Sequence, residues 1–283
     1  MSIRRFASLL AVIVAAAVGA PTAHAATSTR TFVSNVGTNN SECSVTSPCL
    51  TFTQAIAATS NGGEIDCLTP GGFGPVTISI SVTIDCEDAS NGGITVGGND
   101  NAININTAGT LVTLIGLDIN GENQAGSFGV NISAAATVNV RNCKIYGFSN
   151  VALNFSASGG TLVADNVFAS DSYVGIGIYS AGSLNMTVRN STISNNGNGI
   201  IVQNATGTHV GATIEQTTLA FNQYGLYTIS AGAVAVIGGS TVVNNGTGII
   251  NGGGTVYSFK NNQIGGNGTD GTPLTAYPGG PLN

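Results

Sequence analysis

"MTVRNSTISNNGNGIIV", Met186 to Val202, decides the fold of this chain. Val188 and Ile193 flank Asn190, an Asn-Gly pair follows at 196–197, and Gly199-Ile200 closes the stretch. The same order recurs about two dozen residues away on either side. With Asn190 as anchor, the equivalent positions are Asn142, Asn166, Asn190, Gln216, Gly239 and Asn261, at spacings of 24, 24, 26, 23 and 22. Two residues before each anchor stand Val140, Ala164, Val188, Ile214, Ile237 and Phe259, and three after stand Ile145, Ala169, Ile193, Leu219, Val242 and Ile264. Nine after come Val151, Gly175, Gly199, Gly225 and Gly248, followed directly by Ala152, Ile176, Ile200, Leu226 and Ile249.

A period of this size marks a repeat architecture. Each unit holds three short alternating segments separated by Asn- and Gly-rich turns, the pattern of three β-strands. A unit so short cannot bury its apolar face alone. Stacked units can, because like residues then lie above one another at the strand spacing of roughly 4.8 Å. The anchor column becomes an asparagine ladder. Carried towards the N-terminus, the frame places Gly116, Cys86 and Cys67 on the anchor column and Leu114, Ile84 and Ile65 inward of it. That predicts nine coils and a rod roughly 40 Å long.

The coil motif, an Asn, an Ile three residues on and a Gly-Ile pair, resembles that of the right-handed parallel β-helices of the pectin-lyase-like superfamily. The resemblance runs from about Pro48 to Gly271. "PCLTFTQAIAATSNGGEIDCLTPGGFGPVTISISVTIDC", residues 48–86, resembles that group's opening: an amphipathic capping helix, a turn, a first strand and a Pro-Gly loop. The expected fold is all-β, a solenoid of about nine coils with three strands per coil. Residues 26–60 form an N-terminal cap with a helix at Leu50–Ala58, Phe52 and Ile56 covering the open end of the core. Residues 61–271 form the β-helix and 272–283 a tail. This fold hosts lyases, hydrolases, epimerases, adhesins and surface proteins, so it does not name a chemistry.

Residues 1–25 read as a secretory signal peptide: Arg4 and Arg5, an apolar run from Phe6 to Ala20, and Ala23-His24-Ala25 as cleavage site. The run is too short for a membrane span. The expected protein is exported, to the periplasm or the cell surface and beyond. Without Arg4 and Arg5, five basic residues face thirteen acidic ones, a net charge of −8. Such a surface repels nucleic acid and anionic lipid. Only 7% of residues are charged and 41 are glycine, so the chain lacks the Lys, Glu and Arg of exposed helix faces.

Relatives with this resemblance carry their catalytic acids on the strand of the Gly-Ile pair. The residues just before the glycine position are Phe128, Asn150, Val174, Asn198, Tyr224 and Thr247, and the next outward ones are Asn131, Leu153, Gly177, Ile201, Tyr227 and Ile250. Neither column has a carboxylate, arginine or lysine. The "NTD", "DD" and "GHG" patterns of polygalacturonase-like hydrolases are absent, as is the Asp cluster with nearby Arg of calcium-dependent lyases. Tyr173, Tyr179, Tyr224 and Tyr227 fall on or beside this face, where rings either stack on sugars or simply cover a coil.

Charges gather one residue before the anchor: Asp66, Asp85, Arg141, Asp165, Arg189, Glu215 and Lys260. From Arg141 to Glu215 the sign alternates, which reads as a solvent-facing ladder with Arg189 bridging Asp165 and Glu215. The sharper reading is catalytic, since Asp165 and Glu215 would lie roughly 9–10 Å apart, near the separation of an inverting acid/base pair. Arg189 between them argues against it by keeping both ionised. Asp66 and Asp85 are like charges on neighbouring coils; either they splay into solvent or a cation such as Ca2+ sits between them. No other cofactor is implied. His209 reads as a solvated turn residue.

Five cysteines in an exported chain read as two disulfides and one thiol. Cys43 and Cys49 are close in sequence. Cys67 and Cys86 share the anchor position of consecutive coils, where Cα atoms about 5 Å apart suit a bridge. Cys143 follows its anchor and is left as the free thiol. The functional expectation is a non-catalytic exported β-helix that binds a polysaccharide or cell-surface glycan, with an acidic-polysaccharide lyase, hydrolase or epimerase of atypical site as the alternative.

Overall fold

The computed structural model describes residues 27–278 except 90–91, 135–136, 181 and 205–209. The expected signal peptide and His209 lie outside the described residues.

The opening stretch is one turn of a solenoid. Ser183–Arg189 forms a strand of a first sheet, Thr192–Ser194 one of a short second sheet, and Asn198–Asn204 one of a third. Asn190 and Asn195, at φ 52° and 56°, turn the corners between them. Asparagine suits both corners because its short polar side chain tolerates the left-handed region better than other L-residues. Among the described residues repetition gives parallel sheets of 11, 9 and 9 strands, so nine coils each contribute three strands. Each strand pairs in parallel with its equivalent one coil away, as in Val188↔Ile214 and Ile193↔Leu219.

The inward columns fill a single core. Leu114, Val140, Ala164, Val188, Ile214 and Ile237 from the first sheet are fully buried, as are Ile145, Ile193 and Leu219 from the second and Leu153, Ile176 and Ile200 from the third. Each fully buried aliphatic side chain contributes about 1.5–3 kcal/mol of transfer free energy. Stacking therefore makes the rod stable although no coil is stable alone.

The cap holds a helix, α1, at Phe52–Ala58, whose N-cap Thr51 accepts a hydrogen bond from the Gln54 N–H at 3.3 Å. Phe52 is fully buried and meets the Phe73 ring edge-on at 5.2 Å, while Ile56 packs half-buried on the core. The cap also contains a strand, Ser28–Val33, which pairs with Thr59–Cys67 and extends the first sheet beyond the first coil. At the other end Thr275–Ala276 pairs with Thr255–Ser258, so part of the expected tail joins the rod.

Two register corrections follow. In the coil of Asn142 the corner before the third sheet has one extra residue. Val151 therefore pairs with Val174 and Leu153 with Ile176, which puts Ala152, not Val151, at the Gly175 position. In the last coil Asn261 is the extra residue. Ile237 pairs with Ser258, so Lys260, at φ 65°, and not Asn261, takes the anchor corner.

The asparagine ladder is shorter on the anchor column than expected. Asn166 donates to Asn142 at 2.8 Å, but Asn190 donates to Asp165 and Asn142 to Glu87. The buried ladder lies at the next corner. There Asn196, Asn222, Asn245 and Asn267 bond amide to amide at 3.0–3.1 Å, and Asn196, Asn222 and Asn245 are almost wholly buried. Each oxygen also accepts the backbone N–H of the residue one coil before, so the ladder satisfies polar groups the corner would otherwise leave buried.

Both expected disulfides are present, Cys43–Cys49 and Cys67–Cys86, each with a Cα–Cα distance of 4.7 Å. Cys143 is free and buried.

Candidate functional site

The third sheet's strand begins with a residue pointing out, then two pointing in. At Gly175 an added Cβ would meet Ile193 at 2.5 Å and Asn196 at 2.9 Å, so glycine is required inside the corner. Beyond it Ile176 and Ile178 face the core, and Gly177 and Tyr179 face out. The register across coils sets Phe128, Val151, Val174, Asn198, Tyr224 and Thr247 in one outward column. Asn131, Asn154, Gly177, Ile201, Tyr227 and Ile250 form the next. Val151 and Asn154 thus replace Asn150 and Leu153 in the expected columns, because of the extra corner residue. Neither change brings in an ionisable group.

This outer face carries an apolar cluster separate from the core. Val151, Val174 and Ile201 are shielded there by Phe128, Tyr179, Tyr227 and Ile229. Tyr179 folds its ring over Gly177, where an added Cβ would lie on the ring, and burial pushes its phenol up to about 12. Tyr227 leans over Gly252 in the same way, with a Cβ there 2.6 Å from the ring. Tyr224 and Tyr227 are 6.2 Å apart at 62°. Tyr173 stands beside the sheet, 62% exposed. Towards the N-terminal end the face is amide instead: Asn154 donates to Asn131 at 2.7 Å and Asn131 to Asn104 at 3.2 Å. The structure therefore brings Tyr179, Tyr224 and Tyr227 onto one surface with Tyr173 at its margin.

The charge ladder lies on the first sheet, where Arg141, Asp165, Arg189 and Glu215 are register partners in turn. Arg189 pairs with Asp165 at 2.9 Å, and no matching ion pair to Glu215 forms. The expected bridge is half made: the Asp165 carboxylate takes both Arg189 and the Asn190 amide, each at 2.9 Å. Asn190, then Arg189, holds the Asp165 carboxyl below the usual range. A carboxyl so held is a poor proton donor.

Asp66 and Asp85 are adjacent in register, as expected. Their repulsion has a protein counter-charge: Arg30, on the cap strand, binds Asp66 and lies 3.3 Å from Glu64. Among the described residues no group of three or more His, Cys, Asp or Glu side chains is placed to hold a metal. No described helix is long and apolar enough to cross a membrane.

A cleft that motif reading missed lies on the second sheet's side. Its volume is about 410 Å³, and Asn120, Glu122, Gln124, Tyr146 and Asp171 line it. Glu122, Asn123 and Gln124 occupy the left-handed region consecutively, at φ 51°, 57° and 71°. Only the local break in the repeat at "NGENQAG", residues 120–126, signals it in the sequence.

Three parallel sheets wound around one apolar core define a right-handed parallel β-helix with the pectin-lyase-like fold. The family model described as "Right handed beta helix region" matches residues 76–211. The solved structure "Crystal structure of pectate lyase Pel9A" superposes with a TM-score of 0.60 over 89% of this chain and 78% of its own, at 15% identity. At that identity the likeness is one of fold. No curated protein matches the sequence.

Proposed function

We propose that this chain is an exported, non-catalytic β-helix protein that binds a glycan on the outer face of its third sheet, at the cell surface or outside it. The carrying observation is the pairing of tucked tyrosine rings on that face with two outward columns, Phe128 to Thr247 and Asn131 to Ile250, that hold no Asp, Glu, His, Lys or Arg. Rings with an apolar face and a polar edge suit a sugar, whose C–H face stacks and whose hydroxyls bond to amides. Chemistry on a glycosidic bond needs a proton donor and a base or nucleophile, and the columns around the tyrosines hold no carboxylate or histidine for either part. Two disulfides support an oxidising compartment. The pectate lyase resemblance supports a polysaccharide as the ligand class.

The alternative, an atypical lyase, hydrolase or epimerase, has one observation in its favour. The second-sheet cleft combines carboxylates with strained backbone, and such strain gathers at functional sites. A glycan array run beside reducing-end and unsaturated-product assays tests both readings. Binding without turnover supports the first; turnover that disappears in Glu122→Gln supports the second.

A further inference from the structure

We propose that the glycan seated on the third sheet is an uncharged polysaccharide and not a polyuronate, an inference that rests on the glycan-binding reading above. The placement of charge carries it. After residue 25 the chain has five cations: Arg30, Arg141, Lys144, Arg189 and Lys260. Arg30, Arg141 and Arg189 are on the first sheet, Lys144 on the second, and Lys260 at the corner between them. None is on the third. The outward columns from Phe128 to Ile250 hold no charged residue of either sign.

A polyuronate laid on this face would give up hydration of its carboxylates without meeting a counter-charge. Burying an unpaired charge is among the costliest events in recognition. The net negative charge of the rest of the chain adds long-range repulsion. A neutral chain meets neither obstacle. Tyr179 on one coil, and Tyr224 and Tyr227 two coils on, offer ring surface on either side of a coil that carries none. Asn131 and Gln203, part-exposed on the same sheet, supply both donors and acceptors for hydroxyls. The Tyr179 phenol remains a neutral partner, because burial pushes it up to about 12.

Isothermal titration of the secreted protein with hexasaccharides of neutral β-glucan, xylan, mannan and galactan, and of polygalacturonate, at low and high salt, tests the inference. The expected result is binding of at least one neutral sugar with an affinity that does not change with salt. Tyr224→Ala and Tyr227→Ala, each checked for intact β-sheet by circular dichroism, should weaken it about ten-fold, equivalent to about 1.4 kcal/mol. Arg189→Ala should leave it unchanged. Polygalacturonate binding tightest and weakening with salt would overturn the inference while leaving the glycan-binding reading intact. Binding of none of the sugars would overturn both. So would a concentration-dependent dimer that dissolves in Tyr227→Asp, since the face would then be an interface between copies.

Discussion

Asn196 donates its side-chain amide to the side-chain oxygen of Asn222 at 3.1 Å, one coil away, and both are almost wholly buried. The Asn222 oxygen also accepts the Asn196 backbone N–H at 3.0 Å, and its amide donates to the Ile193 carbonyl and to Asn245. One side chain thus satisfies groups on both neighbouring coils. Asn222→Leu should leave those groups buried and unpaired, at about 1–3 kcal/mol for each group left without a partner. The exposed Asn190→Gly, which keeps the corner's positive φ free of strain, should cost about 1 kcal/mol or less. Urea unfolding of both variants checks this, and comparable losses would mean that the buried ladder has no special weight.

The Cys67–Cys86 bridge joins consecutive coils at the end of the rod where the cap strand and α1 pack. It closes a loop with a sequence separation of 19, against 6 for Cys43–Cys49. In the chain-entropy account the longer loop contributes about 3 kcal/mol and the shorter one less. Replacing Cys67 and Cys86 together by Ala should therefore lower the unfolding free energy more than the same change at Cys43 and Cys49. Peptide mapping without reduction should recover both bridges and no peptide crosslinked through Cys143.

Arg189 and Asp165 make an exposed ion pair, so Arg189→Ala should cost no more than about 1 kcal/mol. The pH dependence has a definite sign. The carboxyl of Asp165 is held below its usual value, so folding favours its ionised form. That stabilisation is present above the unfolded-state value of about 3.9 and is lost as pH falls through the lower folded value. The stability gap between wild type and Asp165→Asn should shrink on acidification from neutral pH towards pH 3. A gap that widens instead would show that Asp165 is not stabilised as the anion.

The repeat made most of the fold legible, because inward aliphatics and left-handed corners recur at one period and parallel stacking lets no other register bury them. Where a corner gained one residue, at 147–150 and again at Asn261, constant spacing failed, since a turn accommodates an insertion without disturbing the strands on either side. The cap strand Ser28–Val33 escaped notice because it has no repeat partner in the sequence. The buried ladder at Asn196 escaped for a different reason. Asparagine is frequent at both corners, and only the direction of the side chain tells a solvent-facing amide from a core one. The aromatic face was legible from column membership alone. The folding of Tyr179 over Gly177 was not, because that depends on a rotamer and a missing Cβ.

Cys143 sits one residue past its anchor, in a column that is apolar on the adjacent coils, with Leu117 and Val167, and carries hydroxyls from the coil after, at Ser191, Thr217 and Ser240. Each hydroxyl, like the thiol, turns back to a first-sheet carbonyl: Ser191 to Arg189 at 2.7 Å, Thr217 to Glu215 at 2.8 Å, Ser240 to Gly238 at 3.0 Å, and the Cys143 thiol to Arg141 at 3.1 Å. The cysteine thus fills the place of a ladder hydroxyl. Burial pushes its thiol up to about 12, so almost no thiolate exists at neutral or mildly alkaline pH. The native protein should show no reactive thiol towards an aromatic disulfide reagent at pH 8, and one equivalent once unfolded in guanidinium. Cys143→Ser should keep the same hydrogen bond and cost less than about 1.5 kcal/mol. Cys143→Asp should cost several kcal/mol, because the column would then bury a charge with no cation facing it. A native thiol that reacts at once would mean that this column opens to solvent and that the coil is looser than its packing implies.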